Sequence, residues 1–235
     1  MRRSRTVFEA HSSLSGRIRV IDDGRERRLV VAGDILSIYP LDGNWSALHG
    51  EYWGQALASL RLPPRPSALL VGLGGGTQVH LLETRVHPRL ITVVERDPVI
   101  MRVAIEWFGL RETGPLECYC GDAHEMARTL ARNERRFDFV MEDTAYAAPL
   151  PESRALVAAL ADLVAPRGTL VVNRHFRGDG AELAAMLLPL FARVSQRRVR
   201  REGENVLVCG ERRRPGRGQR PWLQAAESSG STSAS

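Results

Sequence analysis

The stretch Ala68-Leu69-Leu70-Val71-Gly72-Leu73-Gly74-Gly75-Gly76-Thr77 runs from an unbroken apolar segment into a glycine turn, and helical spacing resumes over 75–86. A short apolar run without polar alternation predicts a strand buried on both faces. A glycine-rich turn that leaves such a strand for a helix lets the backbone approach a ligand closely and presents amide donors at the positive end of the helix. A tight turn with no ligand is the plainer alternative. Counted from Gly72, the dinucleotide fingerprint G-x-G-x-x-G would end on Thr77, so its third glycine is missing; Gly72, Gly74 and Gly76 instead give G-x-G-x-G.

Working outward, four more apolar runs lie at 90–94, 116–120, 137–141 and 169–173, with helical patterns at 97–108, 122–132 and 151–164 between them. Strands alternating with helices predict an α/β fold with a doubly wound, mostly parallel sheet. A helix over 180–191 and an antiparallel pair, 193–199 with 205–209, are expected to close it. Upstream, 16–21, 27–31 and 35–39 alternate apolar and polar residues around Asp22-Asp23-Gly24, which predicts a small N-terminal antiparallel β unit. A helix over 48–60 follows and is stopped by Pro63-Pro64-Arg65-Pro66. The expected division is a β unit over 1–46, a linking helix and proline-rich connection over 47–66, a Rossmann-like domain over 67–210, and a disordered arginine- and serine-rich tail over 211–235.

Composition bounds the function. The 235 residues suffice for one sizeable core, and no run of apolar residues is long enough for a membrane span or a signal-peptide core, so a soluble, cytoplasmic protein is expected. All 33 basic residues are arginine, which leaves no lysine for Schiff-base or general-base chemistry. The net charge of +6 comes from the arginines of the two ends, while the body between them is neutral. Solvated arginine-rich tails are a commoner cause of such a charge than a nucleic-acid groove, so nucleic-acid binding is not expected outside the tail. Cys118, Cys120 and Cys209 show neither CxxC nor Cys/His spacing; they read as buried thiols, and no metal site is expected.

Acidic residues stand at the ends of the later strands. Glu95 ends the second run, where a carboxylate can accept hydrogen bonds from both hydroxyls of a ribose. Asp97, followed by Pro98, already supplies the helix cap there. Asp122 ends the third run as Gly121-Asp122-Ala123; it reads as an acceptor for an adenine amino group or as a helix cap. Glu142-Asp143-Thr144 ends the fourth, next to the first strand in this winding. Trp53, Trp107 and Phe108 fall on apolar helix faces and are expected in the core.

As a set these residues resemble the spermidine synthase-like branch of the S-adenosylmethionine-dependent methyltransferases. The resemblance rests on Leu48-His49-Gly50-Glu51-Tyr52-Trp53, the 71–76 glycine turn, Val93-Val94-Glu95-Arg96-Asp97-Pro98, Ala104-Ile105-Glu106-Trp107-Phe108-Gly109-Leu110, Gly121-Asp122-Ala123, and Phe137-Asp138 with Glu142-Asp143. It implies the Rossmann-like methyltransferase fold, with S-adenosylmethionine or its decarboxylated form as cofactor. It further implies a cofactor site made of Gly72, Gly74, Gly75, Gly76, Glu95, Arg96, Asp122, Ala123 and Asp143, with Asp143 also the catalytic candidate. His49, Glu51 and Tyr146 are candidates for the acceptor side. Relatives in this branch are often dimeric, so a homodimer is an expectation that comes with the resemblance.

Where the resemblance fails is informative. Polyamine-making members carry an aspartate after the third glycine, where this chain has Thr77. Their fourth strand is followed by Asp-x-x-Asp, where this chain keeps Asp143 but has Tyr146 in the second place; a glutamine common near the end of their β unit is replaced by Leu36. An amine acceptor is cationic at neutral pH and needs carboxylates around it, so this chain reads as having lost part of an acidic lining. The Gly-Leu-Gly-Gly-Gly turn with Glu-Trp-Phe-Gly-Leu looks closer to members assigned as methyltransferases, including a eukaryotic elongation-factor lysine methyltransferase. Methyl transfer is the leading expectation and aminopropyl transfer the alternative; a non-catalytic binding protein on a degenerate synthase fold is a further one. The acceptor, small molecule or protein, is not written in any residue pattern. Replacing Glu95 is expected to weaken cofactor binding while leaving fold stability almost unchanged.

Overall fold

The computed structural model describes residues 4–58, 60–144, 146–200 and 203–212. Of the expected tail over 211–235, residues 213–235 lie outside the described residues.

The N-terminal unit is a meander of β1 (Arg5–Ser12), β2 (Gly16–Asp23), β3 (Glu26–Val31) and β4 (Asp34–Pro40), paired in sequence order and antiparallel throughout. Asp23 pairs with Glu26, so Gly24 and Arg25 form the two-residue hairpin loop, and Gly24 takes the φ of +65° that such a loop favours. Ile18, Val20, Leu29 and Val31 project from one face of this sheet onto Ile100 and Val103 of the helix over Pro98–Trp107 and onto Phe108 at its end.

The expected helix over 48–60 is in fact two pieces, a 3-10 turn at Trp45–Leu48 and α1 at Tyr52–Ala58. The chain folds back between them at Gly50-Glu51. Gly54 makes this possible, because a Cβ there would stand 2.5 Å from both the His49 Cα and the Leu48 carbonyl oxygen.

The main sheet follows in alternation: β5 (Ser67–Val71), α2 (Thr77–Val86), β6 (Leu90–Glu95), α3 (Pro98–Trp107), β7 (Leu116–Cys120), α4 (Ala123–Arg132), β8 (Phe137–Glu142), α5 (Leu150–Asp162), β9 (Val164–His175), α6 (Gly180–Leu187), β10 (Arg193–Arg198) and β11 (Asn205–Glu211). Its seven strands lie in the order β10-β11-β9-β8-β5-β6-β7. The five strands from β9 to β7 are parallel, while β11 runs antiparallel to both of its neighbours. This is a Rossmann-like sheet with an antiparallel end, preceded by a four-stranded antiparallel sheet.

Alternation sorts the core into two layers. Leu69 and Val71 of β5 face the cluster that includes Leu130, Val157, Leu160 and Leu183 of α4, α5 and α6. Ala68 and Leu70 face the opposite cluster, with Trp53, Leu57, Val79 and Leu82 of α1 and α2. Trp53 and Phe108 are buried, as their helix faces predict, while Trp107 is half-buried against Phe8 at 5.3 Å between ring centroids.

Three details depart from the sequence reading. Strand β9 begins at Val164 rather than Thr169: Val164 pairs with Phe137 and Thr169 with Phe139, so residues 165–168 bulge out between two pairs. Strand β11 continues through Glu211, and Arg212 follows it with its backbone N–H on the Gly168 carbonyl. Cys120 is exposed rather than buried, because β7 is the edge of the sheet; Cys118 and Cys209 are half-buried and all three are unbridged.

Candidate active site

A cavity of about 900 Å³ opens at the carboxyl ends of β5, β6, β7 and β8, where the polar ends of buried strands and the starts of their helices converge. Among the expected cofactor residues, Gly72, Gly74, Glu95, Arg96, Asp122, Ala123 and Asp143 all line it. Residues as far apart as Gly72 and Asp143 therefore share one rim.

Gly72 is where the two halves of the rim meet. Its φ is +94°, and a Cβ would stand 3.0 Å from the Asp143 carbonyl oxygen, so only glycine lets the turn after β5 lie this close to the turn after β8. The turns are also laced by backbone bonds, Gly72 N–H to the Val94 carbonyl and Asp143 N–H to the Val71 carbonyl, each 2.9 Å.

Gly75 and Gly76 do not line the cavity, contrary to expectation. Gly75 donates its N–H to the Ser37 hydroxyl at 2.7 Å, and a Cβ there would meet Phe108 at 2.9 Å. Gly76 caps α2 at a φ of +85°, with Leu110 2.7 Å from where a Cβ would stand. These two glycines serve packing of the turn, Gly75 against Ser37 of β4 and Phe108, and Gly76 against Leu110 beyond α3. Thr77 belongs to the same joint: its hydroxyl donates to the Ile38 carbonyl (2.9 Å) and accepts from the Ile38 N–H (3.1 Å).

Glu95 has a structural task that sequence did not reveal. Its Oε2 accepts the Leu73 N–H at 3.0 Å and its Oε1 the Asp97 N–H at 2.9 Å, so the carboxylate holds the glycine turn to the start of α3. The expectation that replacing Glu95 would spare the fold is therefore corrected, because two charge-assisted bonds to backbone donors would be lost. Each carboxylate oxygen can accept a second hydrogen bond, and Glu95 lines the cavity. Asp122 caps α4, with Oδ1 accepting from His124 N–H (2.9 Å) and Glu125 N–H (3.1 Å), and still lines the cavity. The cap reading and the ligand reading thus share one side chain.

Asp143 is the most elaborated group. Oδ2 accepts from the Tyr52 hydroxyl and Oδ1 from the Asn173 side-chain amide, both at 2.8 Å, and Asn205 Nδ2 donates in turn to the Asn173 side-chain Oδ1 at 3.1 Å. Burial pushes the Asp143 carboxyl up to about 6 from its usual range, against the opposing pull of Asn173 and Tyr52. The Tyr52 phenol rises well above its usual value, through burial and the Asp143 charge. Beneath them the adjacent Glu142 and Arg174, both almost wholly buried, form an ion pair at 2.5 Å; Arg174 also donates to the Asn173 carbonyl and to the Ser153 hydroxyl, 2.9 Å each. Glu142 accepts from the Thr144 N–H and hydroxyl, which fixes the turn that carries Asp143.

On the acceptor side, Tyr146 lines the cavity but His49 and Glu51 do not. His49 is exposed at the end of the 3-10 turn, and Glu51 is spent on an ion pair with Arg200. Both fall away with the fold-back at 50–51, where Gly50 and Glu51 meet Arg200 beyond the end of β10. The side chains that sequence reasoning passed over include Tyr52, Gln78, Asn173, Asp34 and Glu204, all in the wall. Burial pushes the Tyr146 phenol up, aided by the charges of Glu204, Asp143 and Asp34. The acidic lining read as partly lost is thus supplied in part from β4 and the β10–β11 connection. Asn173 had a visible signal, a lone amide ending the apolar run Leu170-Val171-Val172.

No protein-family model matches the chain. The eEF1A lysine and N-terminal methyltransferase of Danio rerio is 31% identical over 155 residues, which are 61% of this chain and 22% of that relative. The polyamine aminopropyltransferase of Vibrio vulnificus is 27% identical over 130 residues, 54% of this chain and 44% of the relative. Human methyltransferase-like protein 13, solved in complex with SAH, shares the fold with a TM-score of 0.58 at 22% identity, over 75% of this chain and 87% of that one. The chain is similar to proteins of the spermidine synthase-like branch of the S-adenosylmethionine-dependent methyltransferase superfamily. It spans 22% and 44% of the length of the two curated relatives named, and this branch includes both methyltransferases and aminopropyltransferases.

Proposed function

We propose that this chain is an S-adenosylmethionine-dependent methyltransferase whose donor lies in the cavity between Gly72 and Asp122. The observation that carries the reading is the convergence of Gly72, Gly74, Glu95, Asp122 and Asp143 on one rim, in a branch whose members use adenosyl sulfonium donors. The cavity fits such a ligand: it offers carboxylate oxygens at three strand ends, apolar wall at Ile100 and Leu156, and close backbone approach at Gly72. Glu95 would receive the ribose hydroxyls, Asp122 with Ala123 the adenine edge, and the turn at 72–74 the amino-acid part. The bound sulfonium supplies an activated methyl group, so the protein's work is positioning.

Asp143 sits where the first and fourth strands end and carries the proton economy of the site. Its carboxylate, held by Tyr52 and Asn173, orients an incoming acceptor and takes its proton. Tyr146, with Asp34 and Glu204 near it, forms an acceptor wall suited to a cation. The same carboxylates favour a second reading, an aminopropyltransferase using the decarboxylated donor. Against it stands Thr77, whose hydroxyl is committed to β4 and does not line the cavity, at the place where polyamine-making members carry an aspartate.

Calorimetric titration with S-adenosylmethionine and with its decarboxylated form separates the readings. Tighter binding of the carboxylated compound supports methyl transfer, tighter binding of the decarboxylated one supports aminopropyl transfer, and binding of neither rejects both.

A further inference from the structure

Gln78 is the second residue of α2 and lines the cavity while only 8% exposed. Neither its Nε2 nor its Oε1 has a hydrogen-bond partner. A buried donor or acceptor left unmet is costly, and this side chain leaves one of each. Its neighbours in the chain are met: Gly75 N–H by Ser37, the Thr77 hydroxyl by Ile38, Leu73 N–H by Glu95. An amide with both ends unmet beside a ligand cavity calls for a ligand group that both accepts and donates.

Position in the fold says which part of a donor that is. Helix α2 leaves the turn after β5, and α1, which packs against α2, carries the Tyr52 that reaches Asp143. Asp122 stands two strands away, after β7, roughly 10 Å across the sheet. Gln78 therefore belongs to the end of the cavity that holds the glycine turn, not to the end that holds Asp122.

Building on the proposed function, we infer that Gln78 reads the amino-acid head of the donor and selects the carboxylated form. Nε2 donates to the α-carboxylate and Oε1 accepts from the α-ammonium, so a zwitterionic head meets both ends of the amide. A decarboxylated donor offers only the ammonium and leaves Nε2 unmet. A site built to hydrogen-bond a group discriminates against the analogue that lacks it.

The test compares wild type, Gln78→Leu and Gln78→Glu as full chains. Each is titrated calorimetrically with S-adenosylhomocysteine, with its decarboxylated analogue and with 5′-methylthioadenosine, which has no amino-acid head, and each is melted without ligand. Gln78→Leu is expected to weaken S-adenosylhomocysteine about tenfold or more. It should change 5′-methylthioadenosine less than about twofold and leave the ligand-free melting temperature unchanged or higher, since the unmet amide is gone. Gln78→Glu places a carboxylate against the donor's own carboxylate and is expected to shift preference toward the decarboxylated analogue. The inference is overturned if Gln78→Leu binds S-adenosylhomocysteine like wild type, or weakens the headless nucleoside equally, or if Gln78→Glu leaves the preference unmoved. Wild type binding none of the three compounds would instead reject the donor site as a whole.

Discussion

The Glu95 carboxylate accepts the Leu73 backbone N–H at 3.0 Å, so the acid at the end of the second strand of the parallel set holds the glycine turn at the end of the first. With its second oxygen on Asp97 N–H, Glu95 ties the turn after β5 to the start of α3 before any ligand arrives. Replacing Glu95 with alanine is expected to lower unfolding free energy by about 1–3 kcal/mol and to weaken nucleoside binding as well. Urea denaturation beside calorimetry reads both. A loss of binding with stability intact would mean that the two backbone bonds contribute little.

Asp143 gives a pH signature with a definite sign. Because its folded value, about 6, lies above the usual carboxylate value of 3.8, the folded state holds a proton that the unfolded chain has released. The stabilisation is fully present below pH 3.8 and is lost as pH rises through about 6. Wild-type stability should carry this falling component between those limits and Asp143→Asn should lack it, as denaturation at a series of pH values would show.

The same group shapes the rate. Transfer that uses the Asp143 carboxylate as base should rise with pH and level off above about 6. Asp143→Asn should remove that limb and slow transfer by about 10²–10⁴-fold. A variant with an unchanged profile would take the proton-accepting role away from this residue.

The outline of the fold was legible because buried parallel strands announce themselves as apolar runs, and those at 90–94, 116–120 and 137–141 lie within β6, β7 and β8. Local signals also placed Asp97 and Asp122 at helix caps, where they are found. What escaped was pairing between distant segments. Tyr52 and Asp143 are 91 residues apart, and nothing local tells that α1 turns a phenol onto a strand end. The glycines at 75 and 76 looked like ligand-facing residues because sequence shows a missing side chain but not what fills its place, here Ser37, Phe108 and Leu110. His49 and Glu51 lay in a motif of the right kind, yet a fold-back at Gly50 carried them off the rim.

The buried Arg174–Glu142 pair underlies the Asp143 turn, so removing the guanidinium should be severe. Arg174→Ala is expected to cost about 3–5 kcal/mol, because it buries a carboxylate without its cation. Equilibrium urea unfolding would measure this, and a cost under about 1 kcal/mol would show that the pair is relaxed by its surroundings.

The joint between β4 and the glycine turn rests on Ser37 and Thr77. Thr77→Val removes both hydroxyl bonds to Ile38 and should cost about 1–2 kcal/mol while speeding hydrogen exchange at the Ile38 amide. Unchanged exchange at Ile38 would mean that packing of the N-terminal sheet on α3 alone holds β4 in place.

The most direct test of the account is a crystal structure of the chain grown with S-adenosylhomocysteine. The ribose is expected against Glu95, the adenine beside Asp122 and Ala123, and the amino-acid part along Gly72 and Gly74 within reach of Asp143. Ligand bound elsewhere, or a cavity that stays empty at saturating concentration, would contradict it.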